Sequence, residues 1–470
     1  IFYLNLYKDN YIDKNRIYTL TKKINENLHF KFGIKNLYHR MIFTAAALVS
    51  ERYGADLNGI KNRGYEVFRN VIRDTIQKSL EDNKKQNIKL DILMEVYIDI
   101  KMNIVENKEA INDFIDCVIE ISDSVNSDNW NGEDVMGIFF NEFNRYKKKS
   151  ESGQVFTPDH ITSLMYKILE VNANDKILDA ACGSGAFLVK SMSNMIKEVG
   201  GINTKEAKKI KEHSLFGIEF DREIFALACA NMMIHKDGKT NLEQLDSRDK
   251  EASEWIKSKG ITKVLMNPPF ERKYGCKKIV ENVLNSVPSG IKCAFIMPEK
   301  KMEKDKMGKL LEKHHLEAII KLPEKLFDAG VTTSIYVFET GKKQVGEIYG
   351  CYIEDDGLER VKNQGRQDIK DKWMELENYW VDSIRKRNDT KYGTSQWIDP
   401  KKFLSYQKPK AEFVLYEEDF VKTMMNYLMF KNKIDVKEFS DKLINKTLYN
   451  SEILKEDNNI VIKIKDAEDE

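Results

Sequence analysis

The spacing of hydrophobic and polar residues along this chain changes near residue 150. In segments such as 37–49 and 65–73, apolar residues recur at every third or fourth position, which is the spacing of an amphipathic helix. The first proline is Pro158, and proline is the residue that most strongly interrupts a helix. The pattern therefore predicts a helical N-terminal domain over residues 1–150.

Beyond a charged, small-residue joint at 147–153, short apolar runs alternate with helical segments. We predict strands at 176–179, 215–219, 263–266, 294–297 and 334–338. Alternation of this kind is typical of a mostly parallel sheet with helices on both faces. Residues 151–345 are therefore expected to form an α/β domain. The polar, Lys- and Glu-rich residues 346–470 are expected to form a partly helical region that contacts a partner or DNA.

The composition excludes several classes of protein. With 470 residues, of which 41% are hydrophobic, the chain is long enough for two or three folded domains. It contains no run of about 18 uncharged apolar residues, so no transmembrane helix is expected. The six cysteines form no Cys-x-x-Cys pair, which argues against a zinc site or a disulfide framework and favours a reducing cytoplasm.

The charge of the chain is nearly balanced, with 76 basic and 75 acidic residues and a net charge of +1. A protein that binds DNA unaided is often more basic. We therefore expect this chain either to work with a partner or to concentrate its positive charge on one face. The first residue is Ile1 and no signal-peptide pattern follows, so we expect the sequence to begin inside a longer gene product.

A glycine-bearing turn follows the predicted strand at 176–179. Gly183 and Gly185 allow a tight turn and the close approach of a ligand, at a strand-to-helix junction where doubly wound folds bind ligands. The turn has no Gly-Lys-Ser or Gly-Lys-Thr, which excludes a Walker-type phosphate loop. Asp179, just before the glycines, would repel phosphate but could hold an ammonium group, such as that of a methionine moiety. An ordinary strand–helix turn is the alternative.

Two more carboxylates lie at the ends of predicted elements. Glu219, at the tip of the second strand, is placed to accept hydrogen bonds from both hydroxyls of a ribose. Asp246, which precedes the strand at 263–266, could accept a hydrogen bond from an adenine amine. The alternatives are a solvated strand end for Glu219 and a helix cap for Asp246.

The segment Asn267-Pro268-Pro269-Phe270 is the most specific feature of the sequence. Two prolines after a strand fix the direction of the Pro268 carbonyl, and Asn267 adds a neutral acceptor beside it. Together the two oxygens could take both hydrogens of a planar amine and leave its lone pair free to attack a cationic methyl donor, without a strong base. Phe270 offers an aromatic face on which an extruded base could stack. The alternative is a rigid loop without chemistry.

By these motifs the chain resembles the amino-methylating DNA methyltransferases, specifically the N6-adenine enzymes and the modification subunits of type I restriction-modification systems. The resemblance covers about residues 150–340 and rests on segments 154–158, 179–187, 217–221, 267–270, 322–327 and 331–335. Segments 322–327 and 331–335 are similar to the late strand pair of those subunits. The resemblance implies a Rossmann-like fold with a mixed, mostly parallel sheet and S-adenosylmethionine as cofactor.

The resemblance also implies roles for individual residues. The Phe156-Thr157-Pro158 segment, which unrelated methyltransferases usually lack, packs over the methionine end of the cofactor in this family. The residues expected to contact the cofactor are Phe156, Thr157, Pro158, Asp179, Gly183, Gly185, Phe187, Glu219 and Asp246. Phe327 is expected to form the second wall of the base pocket. Cytosine-amine relatives usually carry serine where this chain has Asn267, which favours adenine.

The partners also follow from the resemblance. We find no sequence-reading domain in 346–470 and no helicase or nuclease motif in the chain, so double-stranded DNA is expected to be read by a separate specificity subunit. A second copy of the modification subunit and a restriction subunit are further expected partners. An upstream nuclease in a fusion protein is the alternative arrangement.

Two rival functions stay open: methylation of another planar amine or amide, in RNA or protein, and a catalytically silent scaffold. The basic segments 271–278 and 300–306 could contact phosphates, although solvated helix faces are the more common case. His314 and His315 lack the spacing of metal ligands and are expected at the surface. No metal site is expected.

Overall fold

A computed structural model describes most of the chain: residues 14–82, 87–101, 103, 106–126, 135–146, 156–235, 241–270, 275–302, 308–324, 326–327, 331–362, 364–409, 416–449, 451–456 and 459–464. Two compact units are separated within it, Ile1–Gln407 and Lys408–Glu470. The predicted domain boundary at 150 lies outside the described residues.

The strands of the first unit are β1 (Ile177–Asp179), β2 (Leu215–Ile218), β3 (Asn241–Glu243), β4 (Lys263–Met266), β5 (Lys292–Pro298), β6 (His315–Lys321), β7 (Thr333–Glu339), β8 (Ile348–Tyr352), β9 (Glu359–Val361), β10 (Gly365–Gln367) and β11 (Ser395–Ile398). Among the described residues, nine of them form one sheet in the order β11-β8-β6-β7-β5-β4-β1-β2-β3. At one side of the sheet, the five neighbouring strands β5, β4, β1, β2 and β3 are all parallel. The antiparallel strand β7 lies between β5 and β6. The predicted mixed, mostly parallel sheet is confirmed.

The helices of the first unit are α1 (Lys14–Glu26), α2 (Leu37–Arg52), α3 (Tyr65–Asp82), α4 (Asn87–Asp99), α5 (Lys108–Asn126), α6 (Val135–Phe143), α7 (Asp159–Ile168), α8 (Ala186–Glu198), α9 (Lys205–His213), α10 (Arg222–Ile234), α11 (Lys250–Lys257), α12 (Cys276–Ser286), α13 (Glu299–Met302), α14 (Gly308–Leu311) and α15 (Trp373–Lys386). A π-helical turn (Asn27–Lys31) follows α1, and 3-10 turns occupy Asn58–Ile60 and Asn144–Tyr146. The helical character predicted for the N-terminal region is confirmed.

The sheet is buried on both faces, which explains the apolar runs that predict its strands. Successive residues of a strand point to opposite faces: Ile177 belongs to one apolar cluster and Leu178 to the other. The first cluster also contains the cores of the N-terminal helices, such as Phe43 in α2 and Phe114 in α5. The N-terminal helices therefore share a continuous core with one face of the sheet.

All five predicted strands are present, but β3, β6, β8 and β11 were not predicted. Strands β8 and β11 lie beyond residue 345, so the sheet continues past the predicted boundary of the α/β domain. The expectation of a strand at 322–327 is wrong. The ladder ends where the Leu322 N–H donates to the Thr333 carbonyl at 3.0 Å, and Pro323 next to it has no N–H to continue.

The second unit contains two helices and a hairpin: α16 (Glu417–Lys431), α17 (Val436–Tyr449) and the antiparallel strands β12 (Ser451–Glu456) and β13 (Asn459–Ile464). Its helices carry many exposed apolar side chains, among them Phe420, Met424 and Phe430. No helix in the described part of the chain is long and apolar enough to cross a membrane.

Candidate active site

The predicted site residues converge at one edge of the sheet, where the parallel strands β1, β2 and β4 end. A cleft with a volume of about 180 Å³ opens there. The predicted residues that line it are Phe156, Thr157, Asp179, Gly183, Phe187, Glu219, Asp246, Asn267, Pro268, Pro269 and Phe270. Segments that are far apart in sequence therefore meet in a single cavity.

The three other predicted residues lie next to this set. Pro158 caps the N-terminus of α7, and Gly185 caps α8 with a φ of 90°, a left-handed conformation that favours glycine. Phe327 is buried and contacts Phe270 edge to face, with ring centroids 5.4 Å apart. The structure thus brings Phe327 to the ring of Phe270 rather than to the lining of the cleft.

Glu219 joins the end of β2 to the glycine turn. Its Oε2 accepts a hydrogen bond from the Gly183 N–H at 3.0 Å, and its Oε1 accepts one from the Asp221 N–H at 2.9 Å. Asp179 accepts a hydrogen bond from the Ala181 N–H at 3.1 Å. The two carboxyl groups therefore hold the backbone of the turn in addition to lining the cleft.

The cleft disfavours negative charge in the protein without a ligand. Burial raises the pKa of Asp179 from 3.8 to about 8, and the nearby charge of Glu219 adds to this shift. Burial likewise raises the pKa of Glu219 from 4.5 to about 7. A cation bound beside these groups would reverse the effect, because an opposite charge favours the ionised form.

Asp246 already has a cationic partner. The Arg248 Nε donates to both oxygens of Asp246, at 2.8 and 3.0 Å, and the Arg248 Nη2 also donates to Oδ2. These hydrogen bonds lower the pKa of Asp246. Both side chains line the cleft. A ligand amine that donates a hydrogen bond to Asp246 must therefore use the carboxylate lone pairs that are not already taken by Arg248.

The side chain of Asn267 is held by one end. Its Nδ2 donates a hydrogen bond to the Thr157 Oγ1 at 2.9 Å, which links the Phe156-Thr157-Pro158 segment to the end of β4. Its Oδ1 is buried and accepts no hydrogen bond from any described residue. An acceptor that is buried without a donor costs stability, and a ligand amine would satisfy it.

The aromatic residue of the same segment is also fixed. Phe156 stacks on Phe140 of α6, with ring centroids 3.8 Å apart and planes 21° apart. The N-terminal helices therefore help to position the segment that contacts Asn267.

Several lining residues were not predicted: Ala180, Ala181, Cys182, Ser184, Ala186, Phe220, Asp221, Leu245, Ser247, Arg248 and Ile279. Most belong to the loops between predicted residues, so their position after a strand end was the available signal. Phe220 is the clearest case, because this large aromatic side chain is 58% exposed directly after Glu219.

Two minor expectations concern basic and histidine-containing segments. Residues 271–274 and 303–307 lie outside the described residues, and Lys277 forms an i,i+4 ion pair with Glu281, as on a solvated helix face. The expectation that His314 and His315 lie at the surface is wrong, because both are buried. No cluster of three or more metal-ligating side chains occurs among the described residues.

The chain is similar to several known proteins. Residues 131–292 match the family model described as N-6 DNA Methylase. The type II restriction enzyme and methyltransferase RM.BcgI of Heyndrickxia coagulans is 30% identical over 340 residues, which are 66% of this chain and 51% of that protein. The type I restriction enzyme EcoEI methylase subunit of Escherichia coli is 22% identical over 215 residues, 41% of this chain and 43% of the relative. The chain thus spans about half the length of these relatives.

Two solved structures share the fold. One is a chain of a type I restriction-modification system whose complex assembly was studied, with a TM-score of 0.57, 16% identity and coverage of 92% of this chain and 98% of that one. The other is the type I methyltransferase subunit of Streptococcus thermophilus, with a TM-score of 0.51, 16% identity and coverage of 82% and 96%. The predicted methyltransferase fold is confirmed.

The buried carboxyls predict how cofactor binding depends on pH. Because the pKa values of Asp179 and Glu219 are raised, both groups are protonated at mildly acidic pH in the protein without ligand. Their protonated forms contribute to folding stability below about pH 4, and this contribution is lost as the pH rises through 7 and 8. A cationic cofactor binds the ionised form. Between pH 5.5 and 7.5 its affinity should rise by up to about tenfold per pH unit for each proton that binding releases. Isothermal titration calorimetry in buffers of different ionisation enthalpy measures both quantities.

The matched variants are Asp179→Asn and Asp175→Asn. Asp175 is also buried but lies outside the cleft, so its replacement should leave the pH dependence intact, whereas Asp179→Asn should weaken binding and flatten it. An affinity of the wild-type protein that stays constant over this range, with no proton release, would contradict the assigned electrostatics.

Proposed function

We propose that this chain, whose residues 131–292 belong to the N-6 DNA methylase family, transfers a methyl group from S-adenosylmethionine to the exocyclic amine of an adenine extruded from double-stranded DNA. The observation that carries the proposal is the buried, unpaired Oδ1 of Asn267 at the edge of a cleft that also contains the glycine turn. An aromatic amine has the hydrogens that this oxygen lacks.

The Asn267-Pro268 pair acts on the amine by orientation. Thr157 holds the Asn267 Nδ2, so the amide presents its oxygen to a ligand. The Asn267 Oδ1 and the Pro268 carbonyl then accept the two hydrogens of the amine, and its lone pair turns toward the methyl donor. No strong base is needed for the attack, because the amine is neutral and the donor is cationic. Formation of the bond from nitrogen to the methyl carbon would break the bond between that carbon and sulfur, the sulfur would leave as a neutral thioether, and the methylated nitrogen would lose one proton to solvent. The rate gain comes from positioning and from fixed dipoles.

The cofactor supplies a methyl group bound to a positively charged sulfur. Asp179 would pair with its ammonium group, and Glu219 would accept hydrogen bonds from its ribose hydroxyls through the lone pairs that the Gly183 and Asp221 amides leave open. Gly183 fits this role, because a side chain added there would meet no neighbouring atom within 4 Å and would fill open space instead. Asp246, together with Arg248, lies near the adenine end.

The extruded base stacks on Phe270. Phe270 lines the cleft while Phe327 is buried against its ring edge. We therefore assign Phe327 to the support of Phe270 and not to a separate second wall. Aromatic stacking contributes about 1–3 kcal/mol per base in other nucleic-acid complexes, which offsets part of the cost of removing a base from the duplex.

The product of the reaction tests the function. The complex purified from its host through a tag on this chain should transfer tritiated methyl groups from S-adenosylmethionine to host genomic DNA that was amplified in vitro and is therefore unmethylated. Digestion to nucleosides should return the label as N6-methyl-2′-deoxyadenosine. Label found only in RNA or protein would support the rival amide or amine methyltransferase, and label in cytosine would contradict the assignment to adenine.

Replacement of Asn267 by alanine should strongly lower the rate of methyl transfer while cofactor binding changes little. Removal of one transition-state hydrogen bond in other enzymes lowers kcat by about 10² to 10³, and we expect a loss of that order. Asn285→Ala, at an exposed position of α12, is the control and should keep wild-type kinetics. A turnover of Asn267→Ala close to that of the wild type would remove the basis of the proposed mechanism.

We further propose that a separate specificity subunit docks on the second unit, in an assembly that contains a second copy of this chain and a restriction subunit. The support is the apolar surface of α16, on which Phe420, Met424 and Phe430 are at least 60% exposed. A helix that is apolar around its circumference is normally buried. Relatives that are named as methylase subunits of type I restriction enzymes support this arrangement over the alternative of a nuclease–methyltransferase fusion.

A charged substitution on α16 tests this docking. Phe420→Glu combined with Met424→Glu places two carboxylates on adjacent turns and should release the specificity subunit, because an unpaired charge buried in an interface is costly. Lys422→Glu, also exposed on α16, is the control. Native mass spectrometry of the tagged complex should show the loss only in the double variant, with cofactor binding unchanged. A wild-type chain that methylates specific sites by itself would contradict the need for the subunit.

A further inference from the structure

The helix that follows the Phe156-Thr157-Pro158 segment begins with two adjacent residues that each contact a titratable side chain of another element. Asp159 accepts from the Lys190 Nζ at 2.7 Å, and Lys190 lies on α8, the helix that starts at the glycine turn. His160 lies 3.1 Å from Asp356, measured between Nε2 and Oδ2. Neither pair follows from the methyl-transfer chemistry, so both need another explanation.

The His160–Asp356 pair is buried and highly connected. Asp356 has no solvent exposure and His160 is 7% exposed. Asp356 also binds the guanidinium of Arg366 through two nitrogens and accepts the Leu358 N–H at 3.2 Å. Burial by itself would raise the pKa of Asp356, but the hydrogen bonds from His160 and Arg366 outweigh it and lower the pKa to about 2. The carboxylate is therefore a fixed, charged anchor.

The anchor belongs to a part of the chain outside the motifs. Asp356 follows β8, and Arg366 lies on β10. Strands β9 and β10 form a hairpin between β8 and α15. The same hairpin contacts the N-terminal helices, because the Tyr18 hydroxyl donates to the Gln364 carbonyl at 3.0 Å. The ring of Trp373 meets His160 edge to face at 4.9 Å and closes the site around the imidazole.

Only a short, rigid turn separates this anchor from the candidate catalytic amide. Pro158 lies between Thr157 and the helix, and its carbonyl accepts the N–H groups of Ile161 and Thr162 at 2.9 and 3.2 Å. Thr157, at the start of the turn, accepts the hydrogen bond from Asn267. A displacement of His160 would therefore move the hydroxyl that holds the Asn267 amide.

We infer that His160, Asp356 and Arg366 are positioning residues that hold the Phe156-Thr157-Pro158 turn against Asn267 and so set the direction of its Oδ1. The inference rests on the proposed function of Asn267. It assigns the hairpin between β8 and α15 a role in the active site, although the hairpin itself does not line the cleft.

The test compares His160→Phe with His160→Gln in the tagged complex, with amplified host DNA as substrate. His160→Phe keeps a ring but removes the donor to Asp356, which keeps its bonds to Arg366, so the fold should persist. We expect kcat to fall about tenfold to a hundredfold, the size of effect that a misplacement of about 1 Å produces, with little change in cofactor affinity. His160→Gln retains an N–H donor and should recover part of kcat.

A structural effect on the helix is separated by a matched control. Glu377→Gln removes the negative charge from the ion pair between the buried Glu377 and the partly exposed Lys167, at the other end of α7, and it should lower the melting temperature without lowering kcat. In a double-mutant cycle, His160→Phe should have little further effect once Thr157→Val has removed the acceptor for Asn267.

Three results would overturn the inference: a wild-type kcat in His160→Phe, independent effects of His160→Phe and Thr157→Val, or an equal loss of kcat in Glu377→Gln. Failure of the proposed function is recognised separately, because the wild-type complex measured in the same series would then transfer no methyl group to DNA.

Discussion

The hydrogen bond from the Asn267 Nδ2 to the Thr157 hydroxyl is the constraint on which the site depends. An asparagine amide has one donor end and one acceptor end, and here the donor end is held while the acceptor end has no partner among the described residues. The rigid Pro268-Pro269 backbone holds the residue from one side, and the turn before α7 holds its partner from the other. Two parts of the chain that lie 110 residues apart thus fix the position of the Asn267 Oδ1.

The cleft beside this oxygen is built at some cost to stability. Asp179 is buried and Glu219 is half-buried at the ends of adjacent parallel strands, where removal from water raises the pKa of both carboxyls. Perturbed acids of this kind are concentrated at functional sites. A cationic ligand would favour the ionised forms of both carboxyls, because an opposite charge nearby lowers their pKa.

The sequence was informative wherever the signal is local. Buried parallel strands such as β4 and β5 are recognisable apolar runs, and the strand-end motifs around Asp179, Glu219 and Asn267 are contiguous. Strands β8 and β11 were missed because polar residues surround them and their pairing is set by tertiary contacts. The His160–Asp356 pair could not be predicted for the same reason, because its members lie 196 residues apart. The hydrogen bonds between Asp246 and Arg248 could be recognised only from the positions of their side chains.

The most direct test of the account is a structure of the complex with duplex DNA and a non-reactive cofactor analogue. We predict that an adenine leaves the base stack and that its exocyclic nitrogen lies within hydrogen-bond distance, about 2.7–3.2 Å, of the Asn267 Oδ1, while the Asn267 Nδ2 remains bound to Thr157. An Asn267 side chain turned away from the cleft, or a cleft without room for the extruded purine, would contradict it.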